Sequence, residues 1–266
     1  MIPRWFASEV LGTFVMVLFG LGVVATAVAL NATVGMFQIA AVWGLGLSCA
    51  IFIAAEHSGA HLNPAITIAF AVFRGFPAKR VPGYILAQFI GAFLGACAVF
   101  LLFNSSITVF EDTNHITRGM PGSEASAMIF GEYFPDPGGQ PLKESDFKRI
   151  SHLNAFFAEF MGTLMLALVV FGFTARNNKS GTGPMTPIAI GIGLTTIISV
   201  FAPITQAGLN PARDLAPRIF SSMAGWGEVP FTVNGYGWLT VYIIAPCLGA
   251  LCGAFLANQL FSSRAD

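Results

Sequence analysis

The chain has 266 residues, 55% of them hydrophobic and only 10% charged. Soluble domains carry roughly 25% charged residues, so this composition excludes a soluble globular domain and predicts an integral membrane protein. The 13 basic and 13 acidic side chains cancel, which leaves no excess charge for a nucleic acid or another polyanion.

A helix that crosses a bilayer needs about 20 apolar residues. Six stretches qualify: about 5–27, 37–55, 83–103, 153–174, 185–204 and 238–261. The first apolar run, Trp5 to Leu30, is too long for a signal-peptide core and lacks a clear cleavage site, so it reads as a retained span. It carries Glu9, and the second span carries Trp43. After the second span comes Ser58-Gly59-Ala60-His61-Leu62-Asn63-Pro64-Ala65, and the segment from Pro64 to Arg74 is too short to cross. At ~1.5 Å per residue it covers about half of a bilayer core. The polar segment 104–151, with Pro121, Pro135, Pro137 and Pro141, reads as a linker that forms an extracellular lid around a mouth.

Beyond the linker the pattern repeats. Glu9-Val10-Leu11-Gly12-Thr13 recurs as Glu159-Phe160-Met161-Gly162-Thr163 in the fourth span. The fifth span carries Ile198 and leads into Thr205-Gln206-Ala207-Gly208-Leu209-Asn210-Pro211-Ala212-Arg213. Pro211 to Ser221 is the second short segment, and Pro246 lies in the sixth span. The expected architecture is all-α: six transmembrane helices plus two re-entrant half-helices in an inverted internal repeat. One channel domain spans 1–266, with repeat one at about 5–103, the linker at about 104–151 and repeat two at about 152–261. Three full crossings per repeat turn the second repeat upside down, so the two Asn-Pro starts meet near the midplane. Non-helical backbone at that depth needs protein or a water-filled cavity around it.

Arg4, Arg74, Lys79, Arg80, Arg176, Lys179 and Arg264 fall on one side of such a layout. Basic residues favour the cytoplasmic face, which puts both termini in the cytoplasm. The four cysteines lie in apolar runs without metal-ligand spacing, so neither a metal nor a cofactor is expected.

A half-helix starts with a partial positive charge. Asn63 and Asn210 add amide donors at the two starts, beyond the capping that any Asn there supplies. An oxygen that accepts from both amides must turn its own hydrogens away, which breaks a proton wire. Backbone of Gly59, Ala60, His61 and Leu62, and of Gln206, Ala207, Gly208 and Leu209, is expected to line one wall of the path. Spans two and five are expected to supply an apolar wall opposite. Glu9 and Glu159 are intramembrane carboxylates; each is expected to accept N–H groups of its own re-entrant loop, and a proton-coupled role is the alternative. Arg213, in the first turn of the second half-helix, is a fixed positive barrier near the outer mouth. Asp214 and Arg218 have the i, i+4 spacing of a local ion pair.

The motifs SGAHLNPAITIA and GLNPARDLAP, with the doubled Glu-containing motif, resemble those of the major intrinsic protein family, the aquaporins and glycerol facilitators. The resemblance runs from Glu9 to the sixth span. It implies a tetramer with one pore per subunit. Asp214, Arg218 and Pro246 are similar to the glycerol-facilitator branch. The family's outer constriction, carried over by spacing, maps to Trp43, Ile198, Ala207 and Arg213. Trp43 fits the glycerol branch, whereas Ile198 and Ala207 depart from its Gly and Phe and are similar to nodulin-26-like channels.

The resemblance implies a passive channel in the cell membrane for glycerol and related polyols, with water and urea beside them, and no catalysis. The alternative is a secondary active transporter that uses Glu9 and Glu159.

Overall fold

The computed structural model describes residues 2–33, 35–178 and 181–261. Lys179 and Arg264, two of the basic residues used for orientation, lie outside the described residues. Eight helices organise the chain: α1 Arg4–Val28, α2 Met36–Ser58, α3 Pro64–Phe73, α4 Val81–Thr113, α5 His152–Phe173, α6 Thr186–Thr205, α7 Pro211–Ser221 and α8 Gly237–Phe261. Six of them are long and apolar enough to cross a membrane. Their outer faces expose Leu101, Leu102, Phe52 and Val200, as lipid contact requires. This is a multi-pass membrane protein.

Three boundaries differ from the sequence expectation. α4 continues to Thr113 instead of ending near 103; its residues there are poor helix formers, and tertiary contacts of the buried Ile107 and Glu111 hold the extension. α3 ends at Phe73, with Arg74 as its C-cap. α8 opens with a wider π-helical turn over Thr240–Ile244. Pro246 follows at once, buried. A proline lacks the N–H that a regular α-turn needs, and the π turn just before it absorbs the mismatch.

The half-helices trade partners between repeats. α3, from the first half, packs on α8 of the second, and α7, from the second half, packs on α4 of the first. α1 lies against α2 and α4, α5 against α6 and α8, and α2 meets α6 along the centre. Apolar surface drives little association inside a bilayer, so small residues set how closely helices approach. Gly44 and Gly191 do this at the α2–α6 crossing: a Cβ on Gly191 would lie 2.0 Å from Ser48 Oγ and 2.3 Å from the Gly44 carbonyl oxygen. Matched glycines serve the two halves, where Gly91 faces the Val10 carbonyl and Gly249 the Phe160 carbonyl. Gly20 makes room for the Trp43 ring.

The linker is not a loose lid. Residues 123–135 are buried throughout. Glu111, at the linker end of α4, holds Arg118 at 2.7 Å and the Ser126 hydroxyl at 2.7 Å. Trp226 donates its indole N–H to Ser126 at 2.9 Å, and the Arg118 guanidinium sits 4.2 Å from the Trp226 ring centre. Glu124 accepts the N–H groups of Gly122 and Leu142.

The helix crossing gives a direct test. Gly191→Val should lower thermal stability of the purified protein by about 1–3 kcal/mol, the range for overpacked cores. Gly22→Ala should not destabilise, because no atom lies within 4 Å of a Cβ there and Ala is the better helix former. Equal unfolding midpoints for both variants would mean the crossing is looser than described.

Candidate functional site

The chain between α2 and α3 and the chain between α6 and α7 both plunge into the bundle without helical structure. Their local geometry matches. Ala60 and Leu62 have φ of 50° and 53° in the first loop, while Ala207 and Leu209 have 57° and 55° in the second. Left-handed backbone is disfavoured for such residues, so something must hold it.

Two carboxylates do. Glu9 Oε1 accepts the His61 N–H at 2.9 Å and the Ser58 hydroxyl at 2.7 Å, and Oε2 accepts the Leu62 N–H at 2.8 Å and the Gln88 amide at 2.8 Å. Glu159 Oε1 accepts Thr205 Oγ1 at 2.6 Å and the Gly208 N–H at 2.8 Å, and Oε2 accepts the Leu209 N–H at 2.6 Å. Tyr84 and Tyr242 donate their hydroxyls to the carbonyls of Ser58 and Thr205. Gln88 and the two tyrosines are supports that the sequence reading missed; aligning the third spans of the two repeats pairs Tyr84 with Tyr242, but sets Gln88 against Pro246 and gives no signal for it.

The half-helix starts face each other, joined crosswise. Asn63 Oδ1 caps α3 through the Ala65 N–H, and Asn210 Oδ1 caps α7 through Ala212 and Arg213. Asn63 Nδ2 donates to the Leu209 carbonyl at 3.0 Å, and Asn210 Nδ2 to the Leu62 carbonyl at 2.8 Å. The expectation gave each amide a donor role toward the lumen and named no protein acceptor for it. One hydrogen of each amide braces the opposite loop, and one remains.

A cavity of about 260 Å³ runs along this junction. Gly59, Ala60, His61, Leu62, Asn63, Ala207, Gly208, Leu209 and Asn210 line one wall. Opposite stand Leu47 and Ile51 of α2 and Ile190, Leu194 and Ile198 of α6, joined by Met16 and by Leu166 of α5. The apolar wall therefore draws on more helices than spans two and five. Among the described residues, the carbonyls of Gly59, Ala60, His61, Gln206, Ala207 and Gly208 accept no hydrogen bond. Buried carbonyls need partners, so those of the buried His61, Ala207 and Gly208 find theirs in the cavity that they line.

A second cavity, of about 600 Å³, opens at the end of the bundle that carries the linker. Trp43, Ile198 and Arg213 line both cavities and stand where the two meet. The Arg213 guanidinium lies 4.1 Å from the Trp43 ring centre. Ala207 adjoins them on the inner side, and Gln206 lines the outer cavity. The Gln206 side chain also ties the linker, accepting the Tyr133 N–H at 2.9 Å and donating to the Met128 carbonyl at 3.3 Å. Asp136 lines the outer cavity too. Burial pushes its carboxyl above the ordinary aspartate value, against the opposing Gly138 N–H.

One residue at this junction escaped the sequence reading altogether. Glu132, in the linker, forms an ion pair with Arg213. Its backbone is held from both sides: Asp214 Oδ1 accepts the Glu132 N–H at 2.8 Å, and Arg218 donates to the Glu132 carbonyl. Asp214 and Arg218 bind each other through two contacts, at 2.8 and 3.0 Å. The expected local ion pair is thus also a clamp that docks the linker on α7. No spacing rule connects residue 132 to residue 213, because only the folded linker brings them together.

The geometry agrees with three comparisons. The family model described as "Major intrinsic protein" matches residues 2–257. The glycerol uptake facilitator protein of Pseudomonas aeruginosa is 38% identical over 93% of this chain and 85% of its own length. That of Escherichia coli K12 is 36% identical over 95% of this chain and 86% of its own. The propanediol uptake facilitator of Citrobacter freundii is 37% identical over 97% and 91%. Among solved structures, the aquaglyceroporin from Plasmodium falciparum superposes with a TM-score of 0.82 at 26% identity, covering 97% of this chain and 96% of that one. The opposed half-helices, the carboxylate-held loops and these matches lead to one conclusion: the chain belongs to the major intrinsic protein family.

Proposed function

We propose that the protein is a passive channel for small neutral solutes, glycerol and related polyols first, with water and urea beside them. One observation carries the reading. A cavity with unpaired carbonyls on one wall and aliphatic side chains on the other leads past two amide donors at opposed helix starts. A polyol has the same division, hydroxyls on one edge and carbon on the other. The names of the relatives, glycerol and propanediol uptake facilitators, point to the same solute class.

In this reading Trp43, Ile198, Ala207 and Arg213 form the selective ring, and Asn63 and Asn210 orient solute at the midplane. The positive ends of the two half-helices and Arg213 repel cations and protons. The working unit is a homotetramer with one pore per subunit, in the cell membrane with both termini cytoplasmic. Arg4, Arg74, Lys79, Arg80 and Arg176 at the end away from the linker support that orientation. The transporter alternative rested on Glu9 and Glu159. Both are fully buried, line neither cavity and already hold loop donors, so neither is available as a proton carrier facing the path.

Glu159→Ala separates support from transport. It leaves the Gly208 and Leu209 N–H groups buried without an acceptor, at about 1–3 kcal/mol each. Thermal stability should fall, and Glu159→Gln should fall less. A normal unfolding midpoint with abolished flux would instead assign Glu159 to transport itself.

The ring makes a second prediction. Ala207 leaves an open corner, so the channel should pass urea as well as glycerol in proteoliposome light-scattering assays. Ala207→Phe should cut urea permeability several-fold more than glycerol. Adding Ile198→Gly should restore glycerol flux if the phenyl ring crowds it. An unchanged glycerol-to-urea ratio across the parent, the single and the double variant would remove these positions from the ring.

A further inference from the structure

The formal charge and the helix dipoles aimed at the proposed path are positive, although the loop carbonyls between them present partial negative charge. Both half-helices point N-termini at the midplane, each worth roughly half an elementary charge. Arg213 adds a full charge where the two cavities meet. Among the described residues, no carboxylate lines the inner cavity. Glu9 and Glu159 lie behind the loops, bound to their N–H groups, and Asp214 is matched by Arg218. Such a path repels cations by itself. By the same physics it attracts anions, since a cleft lined by one sign of charge concentrates counter-ions by factors of about 10–1,000.

The linker supplies the missing sign. Among the described residues, Glu132 and Asp136 are the two acids that line the outer cavity. Only Glu132 reaches Arg213. It is 2% exposed, and its N–H and carbonyl are fixed by Asp214 and Arg218. Its placement therefore does not depend on the side chain it neutralises.

We propose that Glu132 is a lumen-facing member of the selective ring and that its charge, by cancelling Arg213, keeps anions out of the channel. Cation exclusion then belongs to the helix starts and the Arg213 side of the pair, and anion exclusion to the linker. The inference rests on the channel reading above.

A two-residue charge cycle tests it with the full-length protein. Planar bilayers under a potassium nitrate gradient report current and the sign of the reversal potential. Proteoliposomes of the same preparations report glycerol flux. The parent should be silent to both ions. E132Q keeps the shape and leaves the backbone clamp untouched. It should raise nitrate current about tenfold or more over the parent. R213Q leaves the carboxylate alone and should give potassium current with the opposite reversal sign. The double variant E132Q/R213Q removes both charges and should fall back toward the parent.

If E132Q stays tight to nitrate while passing glycerol, the proposal fails and the channel reading stands. If the single and double variants leak both ions alike, width and not charge has changed, and the proposal also fails. A parent that conducts no glycerol would overturn the channel reading itself. Should E132Q not assemble, R213Q still decides: a pore tight to potassium, or selective for nitrate, refutes the role given to Glu132.

Discussion

The structure depends on two carboxylates that accept backbone N–H groups at membrane depth. A re-entrant loop cannot satisfy its own polar groups as a helix does, and lipid offers no replacement. Glu9 and Glu159 meet the donor side, each serving two N–H groups and one hydroxyl of its loop. With the donors held on the protein side, the unpaired carbonyls are left for the cavity. The polar wall of the proposed path is thus the complement of the Glu contacts. The same contacts hold Ala60, Leu62, Ala207 and Leu209 in left-handed conformations that single residues avoid.

Neither repeat could hold this arrangement alone. Each Asn braces the other repeat's loop, and each half-helix packs on the other repeat's third span. The midplane is therefore an interface between halves, and its donors are fixed by partners far away in the chain. Preorganisation follows: in the channel reading, a solute oxygen would meet amide hydrogens that have no freedom to follow it.

Much of this was legible in the sequence, because the repeat doubles every signal. Asn-Pro-Ala announces a capped start with proline at the first position, where it costs no hydrogen bond. Glu9 and Glu159 are charged residues in apolar spans, which require a polar function. Arg213, Asp214 and Arg218 were legible as a local cluster by helical spacing. What stayed hidden was long-range contact without periodicity. The linker has no repeat partner and no amphipathic pattern, so nothing in its order marks Glu132 apart from the other acids. Gln88, Tyr84 and Tyr242 sit in spans where a polar group reads as one interruption among many. The donation from each Asn amide to the opposite loop also stayed hidden, because its acceptor is a backbone carbonyl that no sequence displays.

The two halves also differ where function demands it. Three residues after Asn63 stands Ile66, and three after Asn210 stands Arg213; Thr67 corresponds to Asp214, and Ala71 to Arg218. One half-helix is neutral and the other is charged at the same places. A buried arginine is tolerable only when paired and desolvation is offset, and α7 cannot pair both of its arginines with one aspartate. Asp214 takes Arg218, so Arg213 needs a carboxylate from outside the repeat. The linker meets that need, and its docking is specified by the same Asp214–Arg218 pair. The long insertion between repeats is then tied to the broken symmetry: the charged mouth requires a counter-charge that an exact repeat could not provide, while the neutral mouth at the other end requires none.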